Sequence, residues 1–521
     1  MLTMNTALDL NTHTPSRSEY DKYLSKVILI SITLFCCIFL HKSELYATES
    51  VSLKLDKSYS HKVNPLLFGV NALYSLPGPG KGKWSPDARW QKNYLPKALK
   101  EMGGTSIRYP GGHVVSFWHW DDPWLQTYKE LWDPKSHSEL SKKSSRKETF
   151  SSYMDMDEYI KQCKYLKVEP IVGVNLLAPL KFGIYSKDTK HSKSLPYKGD
   201  PVLETKALLK YASRKGLEIT YLYLDNEVGH QGGLPKHISY EAYPELIKDF
   251  SLRIKEDFPN VKLIINYISG LNSKHVKALV KDYGQYFDVV DKHIYYHPPG
   301  QKWGSFSRDA WMGDRNIAGY TREFPKFKAY CKSVGQDHIR TGVLEWNIGP
   351  ALQSKQATSF DQLMVCSDLL MMFIQQDVLM ANLWPMYWPS SPRNMIEFSP
   401  SFQYKSSFYS MELFKEIQGM NCSLLQTKEK DLSILYSKPY APTTKSQQKK
   451  MTFIILSKNK SDIREICLDG GSLNFKNIEG FAYCEGGPKG YKKSPLKPKI
   501  EGTTLKVHIP GLSLVHLEAQ L

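Results

Sequence analysis

From about residue 63 onward, short β-branched runs alternate with longer amphipathic stretches, the rhythm of repeated βα units around a parallel sheet. Eight runs read as strands: 66–70 (LLFGV), 105–111 (TSIRYPG), 169–176 (EPIVGVNL), 219–225 (ITYLYLD), 262–268 (KLIINYI), 288–296 (DVVDKHIYY), 341–347 (TGVLEWN) and 378–385 (VLMANLWP). Between them apolar positions recur at helical spacing, as at Leu246, Phe250 and Ile254. The stretch 359–377 is apolar enough to be a largely buried helix. Eight such units close into a (β/α)8 TIM barrel over 63–394, whose active face is built by the loops that follow the strands. The loops after the second, third and sixth strands are long and bring Trp118, Trp120, Trp124, Trp303 and Trp311 to that face.

After about residue 395 the pattern changes to short alternating strands separated by turns, as in DLSILYS, KMTFIILS and TTLKVHIP, with little helical periodicity. This predicts a C-terminal antiparallel β-sandwich over 395–521, completed by a strand within 48–62. Segments 135–149 and 181–200 are rich in Lys and Ser and read as exposed loops. The apolar run 27–40 follows Lys22 and Lys26 and precedes LYATES. It is short for a span of about 20 residues and falls within the h-region length of about 7–15. Residues 1–47 therefore read as a signal peptide cleaved after Ala47, or as an uncleaved N-terminal anchor, and the product as secreted or periplasmic.

Composition narrows the class. With 41% hydrophobic and 23% charged residues in a chain of 521, a disordered, collagen-like or disulfide-stapled protein is excluded. The 32 Tyr and 11 Trp exceed what a core needs and suit the stacking of flat ligands or sugars. A formal charge of +17 attracts polyanions. Zinc-finger spacing, a ribonucleoprotein aromatic motif and a dense basic helix are all missing, so no nucleic-acid partner is expected. Cys36 and Cys37 lie in the leader; Cys163, Cys331, Cys366, Cys422, Cys467 and Cys484 have neither C-x-x-C spacing nor a nearby His at ligand spacing, so no metal site is expected. Cys467 and Cys484 can pair in an oxidising compartment or stay as buried thiols.

Polar residues at the ends of barrel strands carry the chemistry. LYLDNEVG places Asn226 and Glu227 where the fourth strand exits, and GVLEWNIG places Glu345 in the same ring from the seventh. Two carboxylates facing each other across a barrel mouth are the equipment of glycosidic cleavage, one as acid and one as base or nucleophile. Arg108 can hold a carboxylate ionised. Asn175 ends the third strand, and Asn226 can donate to a sugar hydroxyl. His293 and Tyr295 alternate with Ile294 and so share a face. Trp384, after the eighth strand, offers a platform under a sugar. Each has a bland alternative, namely a helix cap, a barrel salt bridge, a satisfied core histidine or packing.

These segments resemble clan A glycoside hydrolases, most closely the α-L-arabinofuranosidase-like branch. NPLLFGVN, LKEMGGTSIRYPGGHVVSFWHW, YLYLDNEVG, DVVDKHIYYHP and LEWNIG carry the resemblance over roughly 63–390. It implies a retaining double displacement with Glu227 as acid/base and Glu345 as nucleophile. It also places Arg108, Asn226, His293 and Tyr295 in or beside the ligand contacts. No cofactor is expected, and the expected substrate is a plant or algal polysaccharide. Two departures leave the sugar open: Asp225 stands where the family usually has Gly, and Val228 where Pro or Met is common. The same landmarks occur in xylosidases, agarases and heparanase-type endo-glycosidases, and the basic charge favours an anionic glycan over neutral arabinan. A non-catalytic carbohydrate-binding barrel and a polyanion-binding surface protein are the rival readings from other classes.

Overall fold

The computed structural model describes residues 49–72, 94–118, 120, 156–177, 200–229, 236–302, 305–349, 357–387, 391–397, 402–427, 431–442, 448–487 and 489–521. The segment 1–47 read as a signal peptide or anchor, segment 135–149, nearly all of 181–200, Trp124 and Trp303 lie outside them. No helix among the described residues is long and apolar enough to cross a membrane.

Two short strands, β1 (Glu49–Lys54) and β2 (His61–Lys62), precede the barrel. The barrel is made by β3 (Gly69–Asn71), β4 (Ser106–Tyr109), β5 (Glu169–Val174), β6 (Tyr221–Val228), β7 (Lys262–Tyr267), β8 (Val289–Asp291), β9 (Ile294–Tyr296), β10 (Arg340–Ile348) and β11 (Met380–Leu383). All pair in parallel, and β11 bonds to both β3 and β10, so the sheet closes. Eight strand positions result, because β8 and β9 together fill the sixth.

The sixth strand is therefore not the continuous run 288–296 that its sequence predicts. Its ladder breaks at Lys292 and His293, where the Asp291 carboxylate accepts from the Leu344 amide at 2.7 Å and from Asn266 Nδ2 at 2.9 Å. A side chain there takes hydrogen bonds that an unbroken strand would give to backbone. Inside the barrel Val115, Ile171, Tyr223, Ile264, Val289, Leu344 and Met380 form one apolar plug. Gly173 makes room for it: a Cβ there would lie 2.3 Å from Val115 and 2.6 Å from Tyr223.

The helix Ser359–Gln375 opens with a capping box of Thr358 and Asp361 and is buried on nearly every side. It is apolar all round because it lies between the barrel and the second domain, touching β10 and the helix Ser406–Phe414. That second helix stands in a region whose sequence shows little helical periodicity. SSFYSMELF is buried through both its apolar residues and its small serines, so no polar stripe marks it. A short pair, β12 (Ile396–Glu397) and β13 (Gln403–Tyr404), precedes it.

The second domain is one hydrogen-bonded sheet of nine strands: β1, β2, β14 (Asn421–Gln426), β15 (Leu432–Ser437), β16 (Lys450–Asp469), β17 (Asn477–Glu485), β18 (Tyr491–Pro495), β19 (Lys499–Glu501) and β20 (Thr504–Gln520). The long strands β16 and β20 pair along their length except for a lapse between Lys458 and Ile463. Met451, Phe453 and Ile455 from one half share an apolar cluster with Ile466, Leu468, Val507 and Ile509 from the other, so the sheet doubles over into two layers. β1 joins β16 in parallel, the exception to the antiparallel pattern.

Cys163, Cys331, Cys366, Cys422, Cys467 and Cys484 are free thiols. Of the two alternatives open for Cys467 and Cys484, register excludes the pairing. Cys467 lies opposite Lys506 and Cys484 opposite Ser513 on the same strand β20, seven positions apart. β20 also lies between β16 and β17, so even residues level with each other on those strands stand about 10 Å apart, beyond disulfide reach.

Candidate active site

The end of β6 is shaped by two residues in the left-handed region, Asp225 at φ 61° and Glu227 at φ 46°. Pairing with β7 lapses between Leu224 and Val228 over the same stretch. Such conformations cost L-residues roughly 1–2 kcal/mol each, so something must hold them. The Asp225 carboxylate accepts from the Leu177 amide at 2.7 Å, and the Glu227 amide donates to Asn266 Oδ1. Asn266 is itself fixed by Asp291. The departure from Gly at position 225 thus has a local account: the backbone still takes a conformation that favours glycine, and the aspartate offsets it with a side-chain hydrogen bond.

Glu345 projects from β10 and is nearly buried. Arg108 Nη1 donates to its Oε1 at 2.7 Å, and the Tyr295 hydroxyl donates to its Oε2 at 2.6 Å. Arg108 is fully buried on β4. Its Nη1 also reaches Asn71 Oδ1 at 3.0 Å and its Nη2 reaches Asn226 Oδ1 at 2.6 Å, while the guanidinium sits 4.1 Å from the centroid of Tyr223. Burial opposes that charge, but Tyr223, Glu345 and Asp291 outweigh it and raise its pKa further. Burial, reinforced by Glu345, holds the Tyr295 phenol well above its ordinary range, so it remains a donor.

His293 bridges the two carboxylates. Its Nδ1 lies 2.9 Å from Glu227 Oε1 and 3.5 Å from Glu345 Oε2, and its Nε2 lies 3.2 Å from Asp291 Oδ2. Burial works against an imidazolium, yet Glu345 and Asp291, with the contact to Glu227, push its pKa up to about 10. The donor atoms of Glu227, His293 and Glu345 all fall within 4.8 Å of one another, a set a divalent ion could bridge. In the protein as it stands, the cations Arg108 and His293 compensate the carboxylates.

Six of the sequence-predicted site residues therefore converge: Glu227, Glu345, Arg108, Asn226, His293 and Tyr295. Asn226 Oδ1 accepts from Arg108 Nη2, which fixes the orientation of its amide. Trp384 stands at the edge of the group, partly exposed, its ring edge-on to Tyr295 at 6.0 Å. Asn175 lies apart from the carboxylates. It is buried, its Oδ1 has no hydrogen-bond partner, and it lines a narrow cleft with Trp118, Trp120, Glu204 and Thr205. Trp311 is not at the active face: it is buried, with its indole donating to Asp368. Asn71, Tyr223, Asn266 and Asp291 were not legible as site residues. Asn71 had a usable signal, since the GVN that ends β3 recurs at 173–175, where β5 gives way to Asn175; the others look like ordinary strand interior.

No protein-family model matches the chain. An intracellular exo-α-(1→5)-L-arabinofuranosidase of Streptomyces lividans is 24% identical over 299 residues, which are 55% of this chain and 42% of that protein. The match thus spans less than half the length of that relative. Among solved structures, a family 51 arabinofuranosidase from Xanthomonas axonopodis pv. citri superposes with a TM-score of 0.62 at 16% identity, over 90% of this chain and 99% of the other. An α-L-arabinofuranosidase from Thermotoga maritima gives 0.63 at 13% identity, covering 91% and 100%. A family 44 xyloglucanase from Paenibacillus polymyxa gives 0.58 at 12%, covering 91% and 100%. The chain shares the fold of these enzymes, a TIM barrel with a β-rich second domain.

Proposed function

We propose that this protein is a retaining glycoside hydrolase of the α-L-arabinofuranosidase type, acting on the glycosidic bonds of a plant or algal polysaccharide. The observation that carries the reading is the pairing of Glu227 with Glu345, whose carboxylate oxygens come within 4.8 Å across the barrel mouth. Retaining enzymes hold their two carboxyl groups about 5–5.5 Å apart, whereas inverting ones leave about 6.5–9.5 Å for a water. The arabinofuranosidase relatives support the sugar class.

The two glutamates differ in environment, and that assigns their roles. Glu345 has both oxygens held, one by Arg108 and one by Tyr295, which aims the carboxylate as a nucleophile requires. Its oxygen attacks the anomeric carbon while the bond to the departing oxygen breaks and Glu227 protonates that oxygen. The proton is that of the Glu227 carboxyl, which the contact with His293 holds in place. Glu227 then takes a proton from water, whose oxygen displaces Glu345 and releases the sugar with its original anomeric configuration. The Asn226 amide faces the sugar, and Trp384 forms one wall.

In this reading 63–394 carries catalysis, 48–62 with 395–521 supports it, and the apolar run 27–40 directs export. The test is a panel of aryl glycosides and polysaccharides, with the anomer of the first product followed by NMR and the culture medium assayed for the protein. E345Q should lower turnover by several orders of magnitude with the fold intact. Wild-type-like turnover by that variant, or a first product of inverted configuration, overturns the reading.

A further inference from the structure

We infer that Lys458, supplied by the second domain, is a positioning residue for β9 and through it for the carboxylate pair. Its activity readout rests on the hydrolase reading above; its structural readout does not.

Lys458 lies where the pairing of β16 with β20 lapses. Its ammonium is 2.5 Å from Asp368 Oδ2 on the helix Ser359–Gln375, and both side chains are only 7% exposed. Trp311 closes over it, with the ring centroid 4.8 Å away and the indole donating to the same Asp368 oxygen at 3.0 Å. Lys458 also donates to the Asp314 carbonyl at 3.4 Å. The Asp314 carboxylate accepts from the Tyr296 hydroxyl at 3.0 Å and from the Ala318 amide. Tyr296 is the last residue of β9, whose middle residue is Tyr295, the donor to Glu345.

The wiring matters because β9 is weakly anchored by its own backbone. It has three residues and pairs on one side only, with β10. Beyond that pairing, the Tyr295 hydroxyl holds it to Glu345 and the Tyr296 hydroxyl holds its end to Asp314. A buried ammonium is costly unless its partners surround it, so Lys458 fixes the positions of Asp368, Trp311 and Asp314 together. A second ion pair across the same junction provides the contrast. Arg308 grips Glu485 through two 2.7 Å contacts, but Glu485 is half exposed, and the remaining side-chain contacts of Arg308 run to Asp361 and Thr358 at a helix start, away from β9.

The experiment compares K458M, K458R, Y296F, the K458M/Y296F double variant and E485Q, well below their melting temperatures. K458M and Y296F should each lower kcat by about ten- to a hundredfold with KM little changed, since tenths of an ångström at a catalytic strand act on the chemical step. The double variant should be no worse than the poorer single one, because both break one path. K458R should recover part of the loss, and E485Q should keep wild-type kcat even where it melts earlier. The imidazole NMR signals of His293, which borders β9, should move in K458M and not in E485Q. Wild-type kcat and an unmoved His293 signal in K458M overturn the inference, as do losses that simply multiply in the double variant. If K458M does not fold, Y296F decides: unchanged kcat and an unmoved signal overturn the inference. If the unmutated protein cleaves no glycoside, the hydrolase reading falls and the His293 signal alone judges Lys458.

Discussion

Arg108 shows how one buried charge organises a site. A buried guanidinium is costly unless its charge is matched; Glu345 matches it, and with Asn71 and Asn226 it engages both terminal nitrogens. The same three contacts orient the nucleophile and the amide beside the acid. His293 is the other cation, and its pKa has a consequence for stability. An imidazole that titrates near 6.5 when unfolded and near about 10 when folded contributes stability that is complete below about pH 6.5 and is lost as pH rises through 10. Urea midpoints should therefore fall more steeply for the wild type than for H293Q between about pH 7 and pH 10. Parallel curves for the two proteins over that range would remove the charged imidazole from the account.

At the scale of elements, the decisive feature is that β6, β8 and β9 stop being regular strands where the chemistry begins. Asp225 and Glu227 adopt left-handed conformations, and the ladder bonds they forgo are replaced by side chains of Asp225 and Asn266. Asn tolerates that backbone region and keeps an acceptor, whereas Ala does neither. D225N should unfold within about 0.5 kcal/mol of the wild type, and D225A should lose about 2 kcal/mol together with activity. Chemical denaturation of the two variants checks this, and equal stability would show that the strain at 225 is not held by its side chain. The sequence marked these strands as apolar runs ending in polar residues, which was enough to place Glu227 and Glu345 in one ring. The break at Lys292 and His293 was hidden because DVVDKHIYY alternates well enough to pass as one strand.

For the whole molecule, the barrel and the second sheet share a core. Leu435, Ile454, Leu456, Tyr483, Tyr491 and Leu514 from the sheet belong to the same apolar cluster as the barrel's outer layer. Removing the sheet would expose that apolar surface and strip cover from the helix Ser359–Gln375. A chain ending at residue 417 should accumulate as insoluble protein. The full chain should unfold in one transition, with tryptophan fluorescence and circular dichroism coinciding. A soluble, folded truncation would show that the two parts are separable.

The sequence alone determined the repeat of βα units, the switch to a β-rich C-terminal region and the two strand ends that carry the glutamates. Those properties follow from local periodicity, which each segment writes into its own residues. The tertiary structure alone decided what holds the glutamates: the fork of Arg108, the bridge of His293, and the buried Asn71, Asn266 and Asp291 behind them. It also showed that Trp311 serves the junction with Lys458 and Asp368, and that Cys467 and Cys484 lie on two strands that flank β20 on opposite sides. Partners of this kind come from strands distant in sequence, and a buried polar residue leaves no periodic trace of which distant group it satisfies.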